Sequence, residues 1–383
     1  MQYSNSLKSS IIGNANTPKL ATFSLSNVKS KCNNNPPKIN KKNVTKLWAG
    51  HDVNQTRVGP ALTNCYSLGM RCILHIGRPK TGSTAIQKWL LHNSEVLRDN
   101  GYALSSVCGQ PISTHMTAYF GDFQLGLPSW RAKRGVDSEV MNRDYLNHQE
   151  FLQSFEDEVE SARKYSDTFI LTDEKLSSHL LSPKSIEVFI SYLTTIFRSI
   201  RVVAYMRPQE ELIPSWWSTG LKSGMTISLS EFLRQSLDNG HLDYYEYAKR
   251  WSSTSGVSST HFFWYQASKN WDVRTHFANQ VLGFPSTLPL VFPLSRANES
   301  LTKWEAESYR WINRISPLWA KGSKMRNPRN LRSREVLGRM LHGVGPWPSL
   351  TPNQKQKVME RFSISNEQFD RQFRSGPPLA GFE

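Results

Sequence analysis

Ile73, Leu74 and Ile76 make a short apolar run that stops at Gly77, and Ala85, Ile86, Trp89 and Leu90 then recur at helical spacing. The apolar period thus switches from strand to helix across GRPKTGST, 77–84, which predicts a buried strand, a tight loop and a helix. The alternation continues: a helical pattern over 145–165, a buried strand in DTFILTDE at 167–174, a helix in SPKSIEVFISYLTTIF, a strand in RVVAYMR at 201–207, short helices in ISLSEFLRQS and YYEYAKRWSST, and a strand in STHFFWYQ at 259–266. Strands alternating with helices predict an α/β fold, three layers with a mainly parallel sheet and helices on both faces, whose ligands gather at the carboxyl ends of the strands. NESLTKWEAESYRWIN at 298–313 and the closing LTPNQKQKVMERFSISNEQFDRQF extend it with a helical C-terminal region. RDNGY at 98–102 reads as a helix stop. The polar stretch from there to about 147 shows no clear element; it holds His115 and the aromatic, basic LPSWRAKR at 127–134.

The expected organisation is a leader over 1–69, an α/β domain over 70–296 and a helical extension over 297–383 packed on the same domain. The leader is rich in Ser, Asn and Lys, lacks sustained periodicity, and reads as mostly disordered. Its eight Lys and one Arg stand against Asp52 alone, so it carries +8 of a formal +16 and leaves the folded part only moderately basic. A basic, acid-poor, Ser-rich leader also has the composition of an organellar transit peptide, and Met70 is a possible alternative start. No apolar run approaches the roughly 20 residues of a membrane helix, so a soluble protein is expected, cytoplasmic or, if the leader is a transit peptide, organellar. Cys32, Cys65, Cys72 and Cys108 show neither zinc-ligand spacing nor a disulfide framework, and Cys72 reads as a small core residue.

The loop carries the chemistry. Gly77 and Gly82 permit backbone conformations closed to other residues, and the loop N–H groups with the first turn of the helix converge on one anion. The spacing approaches the triphosphate loop G-x-x-x-x-G-K-[ST], but the lysine has moved inside, to Lys80, beside a bridging leaving-group phosphate rather than a terminal one. A glycine-rich turn that binds nothing has the same outline. A second site follows the strand 201–207: Arg207 stands at its end and Ser215 lies eight positions on, in RPQEELIPSWWSTGLKSG. A guanidinium offers phosphate a planar fork, and a hydroxyl on the following helix adds a directional donor.

KTGST resembles the 5′-phosphosulfate loop of sulfotransferases that use 3′-phosphoadenosine 5′-phosphosulfate (PAPS), and Arg207 with Ser215 resembles their 3′-phosphate site in both residue type and spacing. From about residue 70 onward, YMRPQEELIPSWWSTGLKSG, LDYYEYAKRW and HFFWYQ look like the course of bacterial, carbohydrate-type members. Departures exist: Arg78 and Pro79 fill the loop's variable positions, Trp216 and Trp217 are bulky beside the second site, and no RKG-type segment is evident. The resemblance implies a P-loop-like fold. It makes Gly77, Arg78, Lys80, Thr81, Gly82, Ser83, Thr84, Arg207 and Ser215 the candidate cofactor-binding residues, with PAPS as co-substrate and 3′-phosphoadenosine 5′-phosphate (PAP) as product. Lys80 would neutralise the departing phosphate, so no metal is required. Glu174, in the D-E-K-L-S after the second strand, is the first candidate base, with Lys175 an accessory cation and His115 the second candidate. The implied partner is a hydroxyl-bearing acceptor, expected to be a glycan, read by 105–147 and 316–350. Trp216, Trp217 and Trp264 are candidate stacking surfaces, with core or rim packing as the alternative. Two other classes stay open: a P-loop kinase, for which Asp173 is the candidate magnesium ligand, and a basic nucleic-acid-binding protein, although no groove-reading motif is present. Oligomeric state is left open.

Overall fold

In the computed structural model, residues 69–108, 115–121, 148–238, 240–266, 268, 271–285, 288–292, 300–318 and 326–376 are described. The leader, Gly69 apart, and LPSWRAKR lie outside the described residues. The N-terminal half runs β1 (Arg71–His75), α1 (Ser83–His92), α2 (Ser94–Asp99), β2 (Tyr102–Leu104), α3 (His115–Phe120), α4 (His148–Ala162), β3 (Thr168–Thr172), α5 (Leu176–His179) and α6 (Pro183–Thr194). It continues through β4 (Ser199–Met206), α7 (Gln209–Lys222), α8 (Leu229–Leu237), α9 (Tyr244–Ser252), β5 (Ser259–Trp264), α10 (Val273–His276), α11 (Lys303–Ile315), α12 (Pro328–Leu341) and α13 (Pro352–Gln372). No helix among the described residues is long and apolar enough to cross a membrane.

The five strands form one sheet in the order β2-β3-β1-β4-β5, every pairing parallel. Side-chain alternation gives the sheet two apolar faces. Ile73, Ile170, Val203, Tyr205 and Phe263 point to one face and meet Ile86, Trp89 and Leu90 of α1, Leu97 of α2, and Phe277 and Val281 of the π turn after α10. On the other face Phe169 packs edge-on to Phe155 of α4 at 5.8 Å and beside Phe197 at 5.7 Å, while Phe262 meets Tyr247 of α9. Cys72 is fully buried in β1, and burial pushes its thiol pKa up. This is the α/β architecture expected from the alternating pattern.

Because the chain steps from β1 outward to β2, back to β3, then across β1 to β4, a crevice opens at the carboxyl end of β1. That end is held from both sides. Asp173 N donates to His75 O at 3.0 Å, Ile76 N to Val203 O at 3.0 Å, and Tyr205 N to Gly77 O at 2.9 Å.

Two details escaped the sequence pattern. β2, three residues on the sheet edge, lies in the stretch with no clear element because it is too short to show a period. The helix after the loop is broken at Asn93, whose Nδ2 donates to Trp89 O (2.8 Å) and Val291 O (3.0 Å) and whose Oδ1 accepts from Val291 N (2.8 Å). The side chain thereby ties the junction of α1 and α2 to the distant segment at Val291.

The C-terminal helices pack on the α/β layers. Thr302 opens α11 with a capping box to Glu305, and Ala306 and Leu301 pack on Trp217 and Leu221 of α7. Phe369 of α13 meets Trp264, Tyr244 and Phe262 at ring distances of 5.5, 6.2 and 6.1 Å. Trp264 Nε1 donates to Asp370 Oδ1 at 2.8 Å. Phe369 is fully buried, so Phe369→Ala is expected to cost about 3–5 kcal/mol. In chemical denaturation the whole transition should move to lower denaturant as one step; a separate early step would show the C-terminal helices folding on their own.

Candidate active site

The loop after β1 is built tightly. Gly77 has φ +92°, and a Cβ there would come 2.9 Å from Glu174 Cα and 3.0 Å from Glu174 O. Gly82, the N-cap of α1, has φ +84°, and a Cβ would meet Val273 Cγ1 at 2.7 Å and Tyr265 at 3.3 Å. Lys80 is the non-glycine residue among those described that takes a positive φ, 69°, a conformation that costs free energy and persists only where the surrounding structure imposes it. The hydroxyls of Thr81 and Ser83 both donate to Arg78 O, at 2.6 and 3.0 Å. They staple the turn from inside, so what they turn toward an anion is the backbone N–H at the start of α1, where helix N–H groups lack intrahelical partners. Thr84 is half-buried in the same turn.

Arg78 lies beneath the loop. It is 2 % exposed, its guanidinium sits 4.9 Å from the Tyr244 ring and 4.7 Å from the Tyr247 ring, and Trp216 closes a third side at 6.0 Å. Its Nη2 donates to His241 O. Stacking on two aromatic faces stabilises a guanidinium withdrawn from water. The placement makes Arg78 a brace between the loop and α9.

Glu174 is the second residue past β3 and stands across from the loop at Gly77. Burial raises its pKa, the neighbouring Asp173 adds to the rise, and Lys175, Lys80 and the Ser83 hydroxyl act against it. Asp173 has a different task. It is fully buried, accepts from Thr117 N (2.9 Å), Thr117 Oγ1 (2.7 Å) and Lys175 N (3.0 Å), and burial pushes its pKa up to about 6. It thereby fastens α3 to the end of β3. His115, at the start of α3, faces Val107 O through Nδ1 at 2.8 Å and meets Phe151 edge-on. No group of His, Cys, Asp and Glu among the described residues could hold a metal ion.

Arg207 closes the other side of the crevice. Its Nη1 reaches Lys80 O at 3.4 Å, its Nε pairs with Glu211 at 3.1 Å, and its guanidinium stands 5.6 Å from the Tyr265 ring. Its backbone is pinned as well, since Tyr244 donates its hydroxyl to Arg207 O. Gln209 bonds Leu242 O (3.0 Å) and exchanges amide bonds with Asn366 of α13 (2.8 and 3.0 Å). Ser215 lies one turn beyond Glu211 on α7, is nearly buried, and has Ser300 Oγ at 3.5 Å. The Lys80 ammonium is lowered in pKa by burial first, then by the Lys222 and Arg207 cations, and Glu174 opposes the shift. Lys80, Arg207, Lys222 and Glu174 are therefore one electrostatic cluster.

Lys222 and Tyr265 were missed from sequence. Tyr265 follows β5 directly, a position at the ligand end of the sheet that could have flagged it. Lys222 had no signal, since it reaches the site from the far end of α7. Trp264 and Trp217 are core residues, their indoles bonded to Asp370 and to Ile227 O, and only Trp216 stands near the loop through Arg78. The chain matches no family model, no curated protein and no solved structure.

The close approach at Gly77 is separable from its backbone strain. Gly101 also has positive φ, +81°, but a Cβ there meets only Asp167 Oδ1, at 3.8 Å. Gly101→Ala should cost about 1–2 kcal/mol from the left-handed backbone alone. Gly77→Ala should cost clearly more in the same denaturation experiment; equal losses would show that Glu174 yields freely.

Proposed function

We propose that the protein is a PAPS-dependent sulfotransferase that moves a sulfuryl group to a hydroxyl, most readily that of a carbohydrate. The observation that carries this reading is the junction at Lys80: the residue lies in the loop that opens α1, and its carbonyl is touched by Arg207. A loop for a 5′-phosphate and an arginine for a second phosphate are thus joined through one residue. The charge fits a polyanionic ligand, because Lys80, lowered in pKa first by burial, is lowered further by Lys222 and Arg207, and neighbouring cations gain from an anion between them.

PAPS would supply the activated sulfuryl group and a phosphate leaving group. Lys80 meets the charge that grows on that leaving oxygen, which is the contribution that lowers a barrier rather than merely binding ligand. The N–H groups of Gly82, Ser83 and Thr84 fix the 5′-phosphate, while Arg207 and Ser215 hold the 3′-phosphate and so set the alignment. Glu174 takes the acceptor proton; its raised pKa makes it a stronger base than an ordinary carboxylate once ionised. His115 faces Val107 and Phe151, which favours Glu174 over it as the base. Asp173 is occupied by Thr117 and Lys175, which weighs against the magnesium-dependent kinase reading.

PAP at 100 times its Kd should stabilise the full chain by about 2.7 kcal/mol, seen as a raised melting temperature, with no comparable shift from ATP and magnesium. Incubation with labelled PAPS should transfer label to a glycan acceptor. Lys80→Ala should lower that turnover by a few orders of magnitude while weakening PAP binding far less. A shift with ATP and magnesium but not with PAP would replace the sulfotransferase reading with the kinase one.

A further inference from the structure

The formal charge of the chain is unevenly placed. Residues 70–302 hold 23 Lys and Arg against 23 Asp and Glu, a net of zero. Residues 303–347 hold ten against Glu305, Glu307 and Glu335, a net of +7. Among the described residues of that stretch, 303–318 and 326–347, eight Lys and Arg stand against the same three Glu, a net of +5 carried by α11, α12 and Arg326 just before α12.

The same region exposes large apolar side chains. Trp304, Trp311 and Ile315 of α11 are 58, 59 and 76 % exposed, and their spacing of seven and four residues puts them on one stripe of the helix. Lys303 and Arg314 are exposed alongside that stripe, and Arg310 between them is largely covered and paired with Glu307 at 2.7 Å. The helix cannot turn this stripe inward. Its opposite side is buried through Ala306, Ile312 and Asn313, and Asn313 Nδ2 donates to Leu221 O (2.9 Å) and Met225 O (2.8 Å) of and just after α7. Arg334 of α12 adds to that anchor by donating to Lys222 O (2.7 Å), Leu221 O (3.0 Å) and Asn313 Oδ1.

The turn after α12 extends the apolar stripe. Lys303 N donates to Pro346 O at 2.7 Å, and the Trp304 ring lies so close to Gly345 that a Cβ there would come 2.1 Å from Trp304 Cδ1. Val344 and Trp347, each about half exposed, therefore stand beside Trp304. The exposed stripe Trp304, Trp311 and Ile315, and the turn that carries the half-exposed Val344 and Trp347, thus lie close to the exposed cations Lys303 and Arg314.

We propose that this face docks the protein on an anionic lipid bilayer. The inference does not rest on the sulfotransferase reading. Tryptophan favours the headgroup boundary, aliphatic tips favour the acyl region beneath it, and Lys and Arg favour anionic headgroups. Ile315 and Val344 argue against a nucleic acid or a glycan, since aliphatic carbon gains little against phosphate and sugar. The net positive charge of these elements argues against a second copy, since two such faces repel each other. The bilayer is the one surface that satisfies the apolar stripe and the cations together.

The test is co-sedimentation of the full chain with phosphatidylcholine vesicles and with mixed phosphatidylcholine–phosphatidylglycerol vesicles at physiological salt. The basic leader is present in every sample, so its contribution is constant. The chain should bind the mixed vesicles and not the neutral ones. Trp304→Ser/Trp311→Ser/Ile315→Ser should lower the partition coefficient by at least about tenfold. Trp304 packs on Gly345, so Trp311→Ser/Ile315→Ser is the second variant; it should lose at least about threefold with an unchanged melting temperature. Binding that persists undiminished in both variants would assign it to the leader and overturn the proposal. So would failure of the wild type to bind mixed vesicles, or a dimer or nucleic-acid complex that the same substitutions abolish.

Discussion

The carboxyl end of β1 is fixed by backbone bonds on both flanks, and the site depends on that fixation. Asp173 N reaches His75 O, and Tyr205 N reaches Gly77 O, so strands β3 and β4 grip the chain one residue before and one residue into the loop. Gly77 has no side chain to hold Glu174 away. The glutamate therefore sits against the start of the loop, and the positive-φ turn at Lys80 has rigid supports on either side. A cation and a carboxylate that face each other across a crevice, each shifted in pKa by burial and by its neighbours, result from strand ends that cannot slide.

The second half of the site is held from a distance. Arg207 leaves β4 with its carbonyl taken by Tyr244, and Tyr244 packs on Trp264 and Phe369. Gln209 ties the start of α7 to Leu242 and to Asn366. Asp243 caps α9 and accepts from Ser365. The C-terminal helix thus braces the arginine through three separate contacts, which gives a physical reason for an extension that contributes no candidate catalytic group. Arg78, stacked between Tyr244 and Tyr247, links the same brace back to the loop.

Much of this was legible in the residues. The change of period across GRPKTGST located β1 and α1, and the long apolar strands stood out because both of their faces are buried. The edge strand β2 and the break at Asn93 were not legible. The first is too short for periodicity, and the second depends on a bond to Val291, nearly two hundred residues away. Among site residues, the sequence pointed to Lys80, Glu174 and Arg207, which the fold gathers into one cluster. It did not tell that the Thr81 and Ser83 hydroxyls face inward to Arg78 O, or that Arg78 is sheathed in tyrosines. Those facts belong to tertiary packing, as does the arrival of Lys222 from the end of α7.

The proposed reading requires that Arg207 answer to a phosphate that Lys80 does not. Calorimetric titration of the wild type, Arg207→Ala and Lys80→Ala with adenosine 3′,5′-bisphosphate and with adenosine 5′-monophosphate measures this. The wild type should prefer the bisphosphate. Arg207→Ala should lose most of that preference, about 1.5–3 kcal/mol for a charged hydrogen-bonding partner, and Lys80→Ala should keep it. Equal loss of preference in both variants, or loss in neither, would contradict the placement of the 3′-phosphate at Arg207 and Ser215, and with it the sulfotransferase assignment.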